Sequence, residues 1–199
     1  MKELFLNKSI SFLNKYYDYS DLDIMKLKYG LEGIYLTLTK TVFIILIAIV
    51  LNILKEVLAV IVLYNIIRYT GFGFHAEKSY QCLILSTINF IAIPFFFLNI
   101  SLNNIVILII CLICISNYLL FAPADTIKRP LPNKKKRLIR KCLTVSIGII
   151  YSISIFIINN HTFTSLILSS LVIQMIVINP LTYKLFKQPY NNYKNLNKA

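Results

Sequence analysis

The amino-acid sequence predicts an all-α fold, a polytopic helical bundle embedded in a membrane. The first observation is composition, because 57% of the 199 residues are hydrophobic and only 15% are charged. The second is a mean hydropathy of +0.70, which indicates more apolar surface than a soluble core of this size buries. The third is that the apolar residues fall in runs of about 20, the length of a membrane-spanning helix. We expect about six membrane-embedded helices and an N-terminal amphipathic interfacial helix, in a single domain over residues 1–199.

The predicted spans follow one another with mostly short polar breaks. Their approximate ranges are 34–54, 57–74, 80–98, 103–122, 142–159 and 162–183. The second range is the least regular, because Arg68 and two glycines interrupt its far end. Short breaks make sequential helices antiparallel neighbours.

The first thirty residues precede the spans and have an amphipathic pattern. Apolar residues recur at helical spacing and lysines fall on the opposite face: Leu6, Ile10, Leu13 and Tyr17 against Lys8 and Lys15. We interpret residues 1–30 as a helix on the cytoplasmic membrane surface, with a solvated lead-in as the alternative. The stretch lacks the compact apolar run and cleavage site of a signal peptide, so we expect it to stay attached.

The formal net charge of +13 is placed at the ends of apolar runs and not along one polar face. This distribution argues against a nucleic-acid partner and favours anionic lipid headgroups. If all six segments span, one side of the membrane receives the N-terminal lysines, Arg68, the basic loop over residues 123–141 and the polar tail over residues 188–199. Because cytoplasmic loops collect Lys and Arg, we expect a multi-pass cell-membrane protein with both termini cytoplasmic.

One stretch, "RYTGFGFHAEKSYQC" from Arg68 to Cys82, concentrates residues that can do chemistry. On one straight helix, His75 and Cys82 would share a face but lie about 10 Å apart along the axis, beyond hydrogen-bond reach. Gly71 and Gly73 tolerate the backbone conformations of a bend that returns the imidazole toward the thiol. A paired imidazole lowers a thiol's pKa and yields a nucleophilic thiolate, the chemistry of acyl transfer through a thioester.

Ordinary roles for these residues stay open at this point. A cysteine in a membrane helix commonly serves packing, and a histidine is commonly satisfied by a neighbour. An arginine near a membrane is costly and marks a specific interaction. Arg68 can snorkel to the headgroups, pair with Glu77 or Asp125, or hold a carboxylate of a substrate.

The spacing of these residues closely resembles that of the AgrB family, the accessory gene regulator membrane endopeptidases of Gram-positive bacteria. The matching pattern is Arg68, Gly73, His75, Cys82 and Ser86. A second block, "APADTIKRPL", resembles that family's loop of Ala-Pro, an acidic residue, a basic residue and a proline, and it contributes Pro123, Asp125 and Pro130. Phe72 departs from the resemblance, since a glycine is expected there before the histidine.

The resemblance implies a thiol protease, a hydrolase that cuts a small AgrD-like peptide precursor on the cytoplasmic side and removes its acidic C-terminal tail. A side chain of the precursor then resolves the acyl-enzyme, giving a thiolactone or lactone ring that serves as an autoinducing peptide in quorum sensing. By this resemblance Cys82 is the nucleophile and His75 the general base, and the protein is a homodimer without cofactor or metal. The supporting or substrate-positioning residues expected around them are Arg68, Gly71, Gly73, Ser86, Pro123, Asp125 and Pro130.

Other candidates receive weaker assignments. Asp125 can orient His75 as the third member of a triad, pair with Arg68, or begin a turn after Pro123, and we favour a structural or substrate-positioning role. Cys111 and Cys114 have CxxC spacing but lie deep in an apolar run, so neither redox chemistry, zinc binding nor a disulfide is expected. His161 falls on a predicted outer loop, too far from Cys82 to serve as its base.

Two other classes of function compete with a peptidase. In a membrane transporter or peptide export component, Arg68 and Asp125 would line a pathway. In a scaffold for a two-component partner, nothing would depend on Cys82. The cluster "KKKRLIRK" from Lys134 to Lys141 suits either an acidic substrate tail or a positive-inside anchor.

Overall fold

The computed structural model describes residues 6, 8–12, 21–74, 79–126, 130–190 and 192–193. The described residues contain no β-strand, and their helices confirm the predicted all-α membrane bundle. The helices are α1 (Asp21–Val50), α2 (Leu54–Gly71), α3 (Ser79–Thr87), α4 (Ile93–Asn99), α5 (Asn104–Phe121), α6 (Lys134–Ile158), α7 (His161–Ile178) and α8 (Pro180–Leu185). A π-helical turn, Ile88–Ala92, joins α3 to α4.

Asparagine side chains define several helix starts. Asn103, Asn133, Asn160 and Asn179 accept hydrogen bonds from backbone N–H groups in the first turns of α5, α6, α7 and α8. Each bond satisfies one of the donors that a helix start leaves unpaired. These caps set the boundaries that follow the polar breaks of the sequence.

Helix bounds differ from the predicted ranges where charge or proline decides them. Helix α1 begins at Asp21, before the predicted start at 34, because a charged first turn is compatible with a helix although it lowers hydropathy. Helix α6 begins at Lys134, so the predicted loop over residues 123–141 is wrong over its second half. The predicted span over residues 162–183 is divided at Asn179, because Pro180 lacks the N–H that would continue α7.

Five stretches are long and apolar enough to cross a membrane among the described residues. They are Asp23–Val50, Tyr80–Asn99, Asn104–Phe121, Lys134–Ile158 and His161–Ile178. The remaining predicted span, the second, over residues 57–74, corresponds to α2, which forms but carries Lys55, Glu56 and Arg68. Helix α2 is nevertheless a bundle helix, since it packs against α6 and α7.

Residues up to Ile47 form one compact unit and residues from Ala48 onward form another. In the first unit, Leu6 is buried and Lys8 is exposed, while Leu13, Lys15 and Tyr17 lie outside the described residues. Residues 21–30 of the predicted surface segment belong to α1.

Helix α7 is the centre of the second unit, where it packs against α2, α4, α5 and α6. Its buried serines, Ser165, Ser169 and Ser170, each donate to a backbone carbonyl of α7 and allow neighbouring helices to approach closely. The outward faces of the surrounding helices carry large exposed apolar side chains. Such faces suit contact with lipid.

The π-helical turn lies directly before Pro94. A proline has no N–H, and its ring clashes with the carbonyl four residues earlier in a regular helix. The wider turn, in which the Ile93 N–H donates to the Ile88 carbonyl, accommodates Pro94 without ending the helix.

Candidate functional site

The predicted bend begins where α2 ends. Gly71 is the last residue of α2, and Phe72 and Gly73 both have positive φ angles, 53° and 128°. Helix resumes at Ser79, so the described residues on both sides of His75 do not form one straight helix. His75 itself, with Ala76, Glu77 and Lys78, lies outside the described residues.

A pair of backbone hydrogen bonds fixes this bend to the loop after α5. The Gly73 N–H donates to the Ala124 carbonyl at 2.9 Å, and the Ala124 N–H donates to the Gly71 carbonyl at 3.0 Å. Together they form a parallel β-bridge between Phe72 and Ala124. The two sequence blocks that carried the family resemblance are therefore in direct contact.

Side chains of neighbouring helices approach closely at both glycines of the bend. A Cβ on Gly71 would lie 2.5 Å from Nε2 of Gln174 and 3.1 Å from Cγ2 of Thr144. A Cβ on Gly73 would lie 2.7 Å from Cγ1 of Val177. At Gly73 the positive φ and this close approach together require glycine, whereas at Gly71 the nearest atom is the end of the flexible Gln174 side chain.

Phe74, the residue before His75, is held by both of its backbone polar groups. Its N–H donates to the Val177 carbonyl at 2.9 Å. Its carbonyl accepts a hydrogen bond from Nη2 of Arg68 at 2.8 Å. The Phe74 side chain is buried and packs on Tyr183 and Phe186. The backbone that leads into His75 thus has a defined position.

Arg68 therefore holds the backbone of the bend through the Phe74 carbonyl. Its guanidinium also lies 5.6 Å from the ring centre of Tyr64. Its second terminal nitrogen, Nη1, is buried and has no hydrogen-bond partner among the described residues. Of the three roles open to Arg68, pairing with Asp125 does not occur, and Glu77 lies outside the described residues.

Two further polar contacts hold α6 against the end of α2. Nη1 of Arg140 donates to the Tyr69 carbonyl at 2.7 Å, and the Arg140 guanidinium lies 4.3 Å from the ring centre of Phe72. The buried hydroxyl groups of Thr144 and Thr70 are hydrogen-bonded at 3.0 Å. The first turns of α6, predicted as a basic loop, are thus part of the frame around the bend.

Cys82 lies in the first turns of α3, half-buried, as a thiol outside any disulfide. Ser86 is buried one helical turn further on the same face. Cys111 and Cys114 are buried within α5, where the Cys114 thiol contacts the Met175 sulfur. The described residues contain no group of metal-binding side chains.

Asp125 is buried and serves as an acceptor for backbone N–H groups. Its carboxylate accepts from Asn192 at 3.0 Å, from Tyr193 at 2.8 Å and from Leu131 at 3.4 Å. Pro123 and Pro130 lie in the same connection, which the structure describes up to residue 126 and again from 130. Asp125 therefore joins the loop to the C-terminal segment and does not pair with Arg68.

The C-terminal contacts were absent from the sequence prediction, which described residues 188–199 as a polar tail. Tyr183 donates to the carbonyls of Ala124 and Asp125, both at 3.3 Å, and Tyr190 donates to the Phe121 carbonyl at 3.2 Å. Burial raises the pKa of both phenols, and the Asp125 carboxylate adds to the rise, which brings the pKa of Tyr190 to about 12. In the sequence, the tyrosines of "QPYNNYKN", Tyr190 and Tyr193, were the signal that could have predicted contacts of this segment with the bundle.

A basic groove opens beside this loop, with a volume of about 450 Å³. Lys134, Arg137, Lys141 and Pro123 are among the residues that line it.

His161 lies at the start of α7, where its Nε2 is 3.3 Å from the Ile100 carbonyl. His161 is the first residue of α7, so the structure places it in a helix and not in the predicted loop, at the end of α7 opposite Val177.

The fold and the site define a class, a polytopic α-helical membrane protein whose bend before a histidine is fixed to a proline-containing loop. The family model described as "Accessory gene regulator B" matches residues 6–178. The chain therefore belongs to the accessory gene regulator B family and is a component of the accessory gene regulator quorum-sensing system.

Relatives agree with this assignment over most of their length. An AgrB-like protein of Listeria innocua is 38% identical over 85% of this chain and 83% of its own. An AgrB-like protein of Clostridium acetobutylicum is 30% identical over 91% of this chain and 87% of its own. Accessory gene regulator protein B of Staphylococcus aureus is 25% identical over 89% and 94%. No solved structure matches the chain.

Proposed function

We propose that this protein is a membrane cysteine endopeptidase that removes the C-terminal tail of a small AgrD-like peptide precursor. The observation that carries the proposal is the fixed bend: both backbone groups of Phe74 are hydrogen-bonded immediately before His75, and α3 presents Cys82 in its first turns. A bend of this kind is compatible with an approach of the two side chains that a straight helix, with its separation of about 10 Å, would prevent.

In the proposed reaction, His75 accepts the thiol proton of Cys82, and the thiolate attacks the scissile carbonyl. The carbon–nitrogen bond of the tail breaks, the tail leaves as an amine with the proton from His75, and the precursor remains as a thioester on Cys82. A thiol or hydroxyl of the precursor then attacks that thioester, which forms the thiolactone or lactone and restores the Cys82 thiol. Burial at a membrane edge favours this internal attack because it limits access of water.

Charge supports the proposed substrate and orientation. The end of the bundle that carries the bend also carries Lys134, Arg137 and Lys141, and these side chains line a groove beside the loop. An acidic precursor tail and anionic lipid headgroups both suit such a surface. We place this end and both termini in the cytoplasm of a multi-pass cell-membrane protein, by the positive-inside rule, and we propose a homodimer without a nucleic-acid partner.

A transport pathway through Arg68 and Asp125 finds no support in their contacts. The Asp125 carboxylate is occupied by three backbone N–H groups, and Arg68 holds the Phe74 carbonyl. Residues that line an ion or substrate pathway face a cavity instead. A pure scaffold differs from a peptidase in one testable respect, because its function would not depend on Cys82.

The test is co-expression of the precursor with Cys82→Ala or His75→Ala and mass spectrometry of the peptide products. We expect both variants to abolish tail-cleaved peptide, since each removes a partner of the acyl-transfer step. Cys142→Ala and His161→Ala are matched controls, because Cys142 is exposed on α6 and His161 lies at the other end of α7. Continued production of tail-cleaved peptide by both site variants would contradict the proposal.

A further inference from the structure

The C-terminal segment returns to the loop that holds the bend. Backbone N–H groups of Asn192 and Tyr193 donate to the Asp125 carboxylate at 3.0 and 2.8 Å. The Asn192 side-chain amide donates to the Asp125 carbonyl at 3.4 Å and to the Pro189 carbonyl at 3.0 Å. A buried carboxylate is costly unless such donors satisfy it, so Asp125 and this segment stabilise each other.

Aromatic contacts extend the attachment to the bend itself. The ring of Tyr190 packs edge-on against Tyr183 with ring centres 5.2 Å apart, and Tyr183 packs edge-on against Phe74 at 5.7 Å. Phe186 also stacks on Phe74, with ring centres 4.7 Å apart. A continuous row of rings therefore connects the C-terminal segment to the residue before His75.

The far end of the segment is attached to α6. The Arg137 guanidinium lies 3.3 Å from the ring centre of Tyr193, a close cation–π contact. Tyr190 and Tyr193 also line the basic groove beside Lys134 and Lys141. The segment thus contacts the loop, the bend and α6 together.

We propose that this C-terminal clamp, formed by Tyr183, Phe186, Tyr190, Asn192 and Tyr193, is a positioning element for His75. It acts at Phe74 through the ring contacts, and at Gly71 and Gly73 through Asp125 and the Ala124 bridge. The inference rests on the proposed peptidase function. All five clamp residues lie beyond residue 178, where the match to the family model ends.

The test uses two truncations of the full-length membrane protein. Ending the chain at Gln188 removes Tyr190, Asn192 and Tyr193, whereas ending it at Tyr193 keeps them and serves as the matched control. We expect the shorter chain to cleave the precursor about tenfold to a hundredfold more slowly in kcat, with little change in KM, because misplacement of a catalytic group lowers the chemical step. We expect the control to match the full-length chain.

Alkylation of Cys82 supplies a readout that loss of stability would not mimic. In a Cys142→Ser background, the rate of alkylation at pH 7 is divided by the rate at pH 9, where ordinary thiols are largely ionised. We expect this ratio to fall in the chain ending at Gln188 to the value found for His75→Ala. The chain ending at Tyr193 should keep the full-length ratio.

Point variants keep the proposal testable if the shorter truncation does not accumulate in the membrane. Tyr193→Ala removes the ring under Arg137 and should lower both kcat and the alkylation ratio, and Tyr193→Phe, which keeps the ring, should restore them. An unchanged kcat and an unchanged ratio of alkylation rates, in the truncation or in Tyr193→Ala, would overturn the proposal that the C-terminal clamp positions His75. If Cys82→Ala still cleaves in the same assay, the peptidase proposal itself fails, so the two failures are distinguishable.

Discussion

Phe72 carries the most unusual backbone of the site. Its φ of 53° and ψ of −138° lie in a region that glycine occupies easily and residues with a Cβ do not. The conformation persists because the neighbouring carbonyl and N–H groups are bonded to Ala124, because Gln174 donates to the Phe72 carbonyl at 3.1 Å, and because Arg140 covers the ring. Strain at such positions is held by the surrounding contacts.

Because of this backbone conformation, we expect glycine at position 72 to give a more stable protein than alanine, the reverse of their usual order. Phe72→Gly and Phe72→Ala both lose the contact with Arg140, but only glycine relieves the positive φ. We expect the glycine variant to be more stable than the alanine variant by about 1 kcal/mol. Thermal unfolding in detergent measures the difference, and an alanine variant as stable as the glycine variant would show that Phe72 does not have this backbone conformation.

At the scale of elements, some features of the site were predictable and others were not. The bend at Gly71 and Gly73 followed from local residue types, because glycine tolerates the positive φ found at Gly73 and the close packing found at both positions. Two of the three partners of the Asp125 carboxylate did not, because they are backbone N–H groups 67 and 68 residues away that leave no side-chain signal. Helix α6 begins earlier than predicted because its lysine-rich first turns lower the hydropathy of the sequence without preventing a helix.

The C-terminal segment should loosen in alkali, because it depends on a protonated Tyr190. The pKa of this phenol is raised to about 12 by burial and by the neighbouring carboxylate, from an ordinary value of 10.0. The folded protein keeps the proton where the unfolded chain has lost it, so the stabilisation is complete below pH 10 and is lost as the pH approaches 12.

Melting temperatures recorded from pH 9 to pH 12 test this prediction, with Tyr190→Phe as the comparison. The wild-type curve should fall more steeply than that of the variant above pH 10, since the variant has no phenol to ionise. Parallel curves across this window would contradict the assigned environment of Tyr190.

At the scale of the whole molecule, the number of crossings decides which side each end occupies. The helical bundle and its membrane character were predictable, because runs of about 20 apolar residues have few alternatives in a bilayer. Whether helix α2 crosses the membrane was the ambiguous point, because Lys55, Glu56 and Arg68 make it less apolar than the five stretches named above. If α2 crosses with the five apolar stretches, the count is even and both termini share one side.

Reporter fusions test this topology. Alkaline phosphatase, which folds outside the cytoplasm, should be inactive when fused after Ala199 and active when fused after Asn159, at the turn between α6 and α7. Green fluorescent protein should give the opposite pattern. An active phosphatase after Ala199 would place the C-terminus, and with it the basic groove that Tyr190 and Tyr193 line, outside the cytoplasm and would contradict the proposed topology.

The central claim, that Cys82 carries the precursor as a thioester, is tested most directly by trapping that species. The purified protein is incubated with a precursor whose internal nucleophile is replaced by alanine, so that ring formation cannot remove the acyl group. Peptide mass spectrometry should find the tail-less precursor attached to Cys82 and released by hydroxylamine, and Cys82→Ala should yield neither adduct nor cleaved tail. Release of the tail at an unchanged rate by Cys82→Ala would contradict the account.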